Sequence, residues 1–215
     1  MLPLIPDGDR LRQVLVVGAH SDDIEIGCGG TLLHLARRHP EAEFVWAVMT
    51  GTEERVAEAT ASAEAFFGDG RSPRVVAPGL ADGRLPYDTA AKEVWEGLKA
   101  TTDPDLVFTH QRDDLHQDHR LLAELAIQTF RDHLILEYEI PKYDGDLGRP
   151  NAFVRLDEDI VDAKIDHLMN HFASQRSKRW FTEDLFRSLM RVRGMEAGAP
   201  SGHAEAFYAP KLVLK

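Results

Sequence analysis

The 215-residue sequence holds a single cysteine, Cys28. No internal disulfide can form, and a chain with one thiol fits a reducing compartment. A cytoplasmic setting is therefore expected. Long apolar runs are missing too. None approaches the roughly 20 residues that a helix needs to cross a bilayer. The opening Met1-Leu-Pro-Leu-Ile-Pro6 is apolar but short, and Asp7 and Asp9 follow at once, so it reads as neither a signal peptide nor a membrane insertion. Positive charge is scarce: 25 Lys and Arg face 36 Asp and Glu, a formal charge of −11. Nucleic-acid binding rests on neutralising phosphates with Lys and Arg, so no nucleic-acid partner is expected. The surplus acid reads as solubility. Repeats, low-complexity tracts and Gly/Ser linkers are lacking, and residues 1–215 are expected to form one domain.

What is present is an alternation of strand and helix signals. Gln13–Gly18, Glu43–Met49, Pro73–Ala77, Asp105–Thr109 and Leu134–Tyr138 are short apolar runs, the pattern of strands buried on both faces. Between them, Thr31–Arg38, Glu53–Phe67, Thr89–Lys99 and Asp118–Asp132 read as helices. This order predicts an α/β fold with a mainly parallel sheet and helices on both faces. Ile140 to Pro150 is rich in turn formers. Asn151–Leu156 reads as a strand, Asp157–Phe172 as a helix, and Thr182–Arg193 as a helix stopped by Gly194. Phe207–Leu214 reads as a last strand, placed at an edge because Pro210 interrupts it.

In parallel sheets of this kind ligands bind beyond the carboxyl ends of the strands. Two polar clusters fall there. One is Gly18-Ala-His20-Ser-Asp22-Asp23, and the other runs from His110 to Asp114-Leu-His116-Gln-Asp118-His119. Together they offer what a catalytic zinc takes: three nitrogen or oxygen donors, with a fourth position open to water. A bound water then has a pKa near 7, and a nearby carboxylate can accept its proton. Adjacent residues point in different directions, so of Asp22 and Asp23 one can bind metal while the other faces the water. Of His116 and His119 only one need be a ligand. The other can stabilise an oxyanion.

The residues then resemble a known family. His20-Ser-Asp22-Asp23-Ile-Glu25-Ile-Gly27-Cys-Gly29-Gly30-Thr31 is similar to the first signature of the PIG-L/LmbE-like de-N-acetylases, and Asp114-Leu-His116-Gln-Asp118-His119 to the second. Thr50-Gly51, Arg55 to Glu58, Asp82 to Pro86 and Ala204 to Phe207 continue the likeness in order. The resemblance implies a Rossmann-like (LmbE-like) fold. It implies Zn²⁺ bound by His20, Asp23 and His119, with Fe²⁺ able to replace it, since these donors suit both. It further implies Asp22 as general base, His116 as the electrophilic partner in its imidazolium form, and Asp118 as the group that orients His116 and favours its charge. The implied substrate is a small N-acetylated sugar of the N-acetylglucosamine type or its conjugate, and the implied partner beyond it a second copy of the chain. Two departures are plain: Ser21 stands where the family has Pro, and His203 where it often has Tyr.

Rival readings come from the same residues. An amidase could cleave a larger acyl group or a thiol conjugate. The Gly27-Cys-Gly-Gly30 stretch could belong to a non-catalytic sugar- or nucleotide-binding module, but it is not the G-x-G-x-x-G pattern, and a structural role against the sheet suits it better. Arg55 and Asp82 are candidate substrate contacts, Arg193 and Glu205 weaker ones. Cys28 reads as a buried small hydrophobe. His167 and His171, four apart, lack the acid of a helical zinc motif and read as a helix face. Trp46, Trp95 and Trp180 read as core, Trp180 alone being considered for sugar stacking.

Overall fold

The computed structural model describes residues 11–68 and 70–213; the apolar opening segment and Leu214 lie outside them. Among these residues seven strands build one sheet: β1 (Gln13–Gly18), β2 (Glu43–Val48), β3 (Arg74–Val76), β4 (Leu106–His110), β5 (Leu134–Tyr138), β6 (Ala152–Leu156) and β7 (His203–Tyr208). Their order is β3-β2-β1-β4-β5-β7-β6. The first five in that order run parallel, and β7 is antiparallel to both neighbours. The helices are α1 (Asp23–Arg38), α2 (Glu53–Ala65), α3 (Ala90–Thr101), α4 (Gln117–Thr129), α5 (Glu158–His171) and α6 (Glu183–Ala197). No described helix is long and apolar enough to cross a membrane.

Side chains alternate across a strand, and β1 shows the result. Val14 and Val16 join a core with Ile24 and Leu32 of α1, Ala59 of α2, Leu168 of α5 and Phe186 of α6. Leu15 and Val17 join the opposite core with Trp95 of α3 and Leu122 of α4. The expected α/β fold with helices on both faces is what the chain adopts.

Three expectations are corrected. Helix α1 begins at Asp23, not Thr31, so Gly27 to Gly30 lie inside it. Helix α6 runs through Gly194 to Ala197 and stops at Gly198, whose φ of 57° suits a residue without Cβ. The last strand is β7, inside the sheet between β5 and β6. Pro210 falls after it, and β6 takes the edge.

The opening for a site comes from the topology. From β1 the chain crosses to β2 on one side, while β4 lies on the other, the switch point where such sheets bind ligands. The β1–β4 ladder stops at Val16 and Phe108, so the two strands part towards their carboxyl ends. Side chains take over the pairing. The Ala19 amide donates to His110 Nε2 at 3.0 Å, and the Tyr138 hydroxyl donates to the Val17 carbonyl at 2.7 Å. Gly27 makes room for this. A Cβ there would lie 2.2 Å from Tyr138 Cδ2, so only glycine lets α1 pack against that ring.

Candidate metal centre

His20 leaves β1 in a turn closed by Asp23, whose Oδ2 accepts the His20 amide at 2.7 Å. Asp23 opens α1. His119 arrives from the first turn of α4, behind β4. Three atoms then face one another: His20 Nδ1 and His119 Nε2 at 3.1 Å, His20 Nδ1 and Asp23 Oδ2 at 3.2 Å, and His119 Nε2 and Asp23 Oδ2 at 3.4 Å. All three residues are buried.

The far nitrogens of both histidines meet carboxylates. His20 Nε2 lies 3.0 Å from Asp82 Oδ1, and His119 Nδ1 lies 2.9 Å from Asp114 Oδ2. A carboxylate there takes the ring N–H, which leaves the lone pairs of the neutral rings facing inward. Two lone pairs and a carboxylate oxygen repel unless positive charge stands among them. Donors at about 2.0–2.1 Å from a tetrahedral zinc lie about 3.3 Å apart, which matches the triangle. The residues therefore fit a divalent ion. The same demand for positive charge acts on His20: burial opposes protonation, but Asp23 and Asp82 push its pKa up to about 10.

Other histidines border the triangle. His116 can bring one nitrogen within 4.8 Å of His20 and His119, and His110 can do so for Asp23 and His119. Each has a nitrogen already committed. The Asp118 amide donates to His116 Nδ1 at 3.3 Å, and His110 Nε2 accepts from Ala19. His110 is buried, stacked on the His119 ring with centroids 3.8 Å apart, and its pKa falls to about 4 through burial and the charge of His119.

Asp22 differs from its neighbour. It is buried at the start of α1, and its Oδ2 has no hydrogen-bond partner among the described residues. Burial and the charge of Asp23 push its pKa up to about 6, against the pull of Arg55 and His20. A buried carboxylate with one free oxygen and near-neutral pKa beside a donor triangle can accept a proton from a water there.

The half-buried His116 ring sits 4.8 Å from that of His20 and 4.6 Å from that of His119. This departs from the imidazolium form expected of His116: with Nδ1 accepting, the ring is neutral and carries its proton on Nε2. Burial and the other two histidines lower its pKa, while Asp118 pulls the other way. The expected link from the Asp118 carboxylate to His116 takes another form. That carboxylate accepts the amides of Gly83 at 2.7 Å and Leu85 at 3.1 Å, and the bond joining the two residues runs from the Asp118 amide. Asp118 thereby ties α4 to the 80–85 loop, which carries Asp82.

That loop is also pinned to the end of β2, by bonds between Leu80 and both Met49 and Gly51. Arg55, on the first turn of α2, closes the group. Its Nε donates to Ser21 Oγ at 3.2 Å, and its other nitrogens lie 3.5 Å from Asp22 and from Asp82. Ser21, in place of the family's Pro, thus adds an acceptor for Arg55. Both candidate contacts stand beside the triangle, Asp82 against the far nitrogen of His20 and Arg55 against Asp22. Arg193 and Glu205 do not join them: Arg193 pairs with Glu139 at 2.7 Å, and Glu205 pairs with Lys164 at 2.6 Å, all four buried. His203 lies on β7, 3.3 Å from Glu158. Cys28 is buried with its thiol donating to the Ile24 carbonyl. His167 and His171 stack, and Trp180 packs partly buried against the core beside Phe181.

Three residues escape a reading of the sequence. Asp114 accepts both His119 Nδ1–H and, at 2.7 Å, the His116 amide. Behind it stand Lys142 and Asp146, from the loop after β5. The signal for Asp114 was its place in the second cluster. Lys142 and Asp146 carried only a weaker one, opposite charges four apart after a strand that ends beside β4.

Fold and centre together define a Rossmann-like α/β protein with two histidines and a carboxylate brought together at the switch point. The family model for PIG-L, described as GlcNAc-PI de-N-acetylase, matches residues 15–130, more than half of the chain and both polar clusters. The chain belongs to this family and is a deacetylase-family enzyme. The uncharacterized deacetylase YaiS of Escherichia coli strain K12 is 26% identical over 177 residues, spanning 78% of this chain and 95% of its own. Among solved structures, the N,N'-diacetylchitobiose deacetylase of Pyrococcus horikoshii superposes with a TM-score of 0.71 at 22% identity, covering 92% of this chain and 83% of that one. GalB, the 4-carboxy-2-hydroxymuconate hydratase of Pseudomonas putida KT2440, does so with 0.72 at 16% identity, covering 95% and 98%. At these identities the two structures share the fold.

Proposed function

We propose that this enzyme hydrolyses the N-acetyl group of an amino sugar of the N-acetylglucosamine type, or of its conjugate, with a divalent ion, zinc first, held by His20 Nδ1, Asp23 and His119 Nε2. The observation that carries the reading is the donor triangle with a carboxylate behind each histidine and Asp22 free beside it. The ion would acidify a water and polarise the acetamide carbonyl. Asp22 takes the proton of the attacking water through its unpartnered oxygen. His116 offers its Nε2–H to the carbonyl oxygen as negative charge develops there. The new C–O bond forms first; the oxyanion then collapses to re-form the carbonyl, the C–N bond breaks, and the proton held by Asp22 passes to the leaving nitrogen. Acetate and a free amine result. Arg55 and Asp82, beside the triangle, would hold sugar hydroxyls.

The family and the chemistry of the donors support this reading. The fold alone would not, because a hydratase shares it. The test is metal quantification on the purified protein, then a free-amine assay over N-acetylated sugars and their conjugates. About one zinc per chain and acetate release are expected. A chain that neither holds nor responds to a divalent metal would be a binding module. Preference for longer acyl groups or thiol conjugates would make it another amidase.

A further inference from the structure

The segment after β5 is built into the back of the centre. Register pairs His110 with Tyr138, so β4 and β5 end side by side and their loops meet. Asp146 fastens the meeting twice. Its backbone carbonyl accepts Gln111 Nε2 at 3.1 Å, and its carboxylate accepts the Leu115 amide at 2.7 Å. Lys142 Nζ then lies 2.6 Å from Asp146 Oδ2 and 2.9 Å from Asp114 Oδ2, the oxygen that faces His119 Nδ1. The three side chains are 10%, 4% and 0% exposed.

Water does not screen two carboxylates this close and this buried. Without a cation between them, the two like charges would push apart and one carboxylate would turn away. That would spoil the acceptor that fixes the His119 ring. We propose that Lys142 is a positioning residue for the metal centre, holding Asp114 aimed at His119 by bridging it to Asp146. This inference rests on the reading of His119 as a ligand. Groups behind a ligating histidine are worth about 10–100-fold in metal affinity.

The test is cobalt binding to the whole chain, followed by the visible spectrum of Co²⁺ and by competition with a chelator. Lys142→Met should weaken affinity about 10–100-fold and shift the spectrum, and Lys142→Arg should restore most of both. The decisive variant is Lys142→Met with Asp146→Asn. It removes the opposing charge and keeps an oxygen for the Leu115 amide, so affinity should recover relative to Lys142→Met alone. A mere loop clamp would be weakened further by the second change. Unchanged affinity and spectrum in Lys142→Met, or a double variant weaker than the single, would overturn the proposal. Should Lys142→Met fail to fold, Lys142→Gln with and without Asp146→Asn makes the same comparison. A wild-type chain that binds no cobalt or zinc would sink the metal reading itself, and this inference with it.

Discussion

Asp22 and Asp23 are adjacent and both buried, yet their surroundings separate them. Asp23 is ringed by His20, His110 and His119, which hold its carboxyl well below the usual range despite burial. Asp22 keeps one oxygen free and a pKa near 6. Different losses should follow from changing each side of the centre. Asp22→Asn should retain the wild-type metal content and lose about 10²–10⁴-fold in kcat. His119→Ala should lose the metal itself. Metal analysis and turnover on the same preparations separate the two, and an Asp22→Asn enzyme with full activity would refute the base assignment. At this scale the sequence already grouped His20, Asp22 and Asp23, just past β1, and His119, in the first turn of the helix after β4, and the fold brings His20, Asp23 and His119 together. Lys142 and Asp146 were hidden because their meaning depends on the β4–β5 register. The role of the Asp118 carboxylate was hidden for a like reason: its partners are backbone amides of a distant loop.

Among the elements, α1 carries the tightest constraints. Gly27→Ala would drive a methyl into the Tyr138 ring, a ring that cannot retreat without freeing the Val17 carbonyl. Overpacking costs typically about 1–3 kcal/mol, and this contact belongs at the upper end or beyond. Urea denaturation measures it; a loss under about 1 kcal/mol would show that the helix shifts freely. The other side of α1 is bound to β7. Glu205 accepts the amides of Gly30 at 2.8 Å and Thr31 at 2.6 Å, and Lys164 donates to the Ile26 carbonyl at 2.7 Å. Glu205→Ala would leave Lys164 as an unpaired buried charge, at about 3–5 kcal/mol. Replacing both, as Glu205→Gln with Lys164→Met, should cost less than the single change. The parallel strands were legible because burial on both faces makes them continuous apolar runs. The start of α1 was not, since three glycines in four residues carry little helix propensity of their own and packing against the sheet supplies what they lack. The inner position of β7 was masked by its Ala and Glu residues and by Pro210 just beyond.

The whole molecule concentrates acid around its centre: Asp23, Asp82, Asp114 and Asp118 approach His20 or His119, and Asp22 lies beside Arg55. An ion bound only by the folded chain should therefore stabilise it. At a free concentration 100 times Kd the gain is about 2.7 kcal/mol. Removing metal with a chelator should lower the Tm, added Zn²⁺ should restore it, and His119→Ala should respond to neither. A scanning melt with and without chelator checks this. An identical Tm in all states would show that the folded chain holds no ion of consequence.

The parting of β1 from β4 has a kinetic consequence. The two histidine donors lie 99 residues apart in the chain and meet only once the central strands are in register. Contacts so distant form late in the search for the native topology. Metal added during refolding should then leave the folding rate almost untouched and act on the other limb, slowing unfolding by nearly its full binding free energy. The centre would work as a latch on the finished sheet, not as a seed for it.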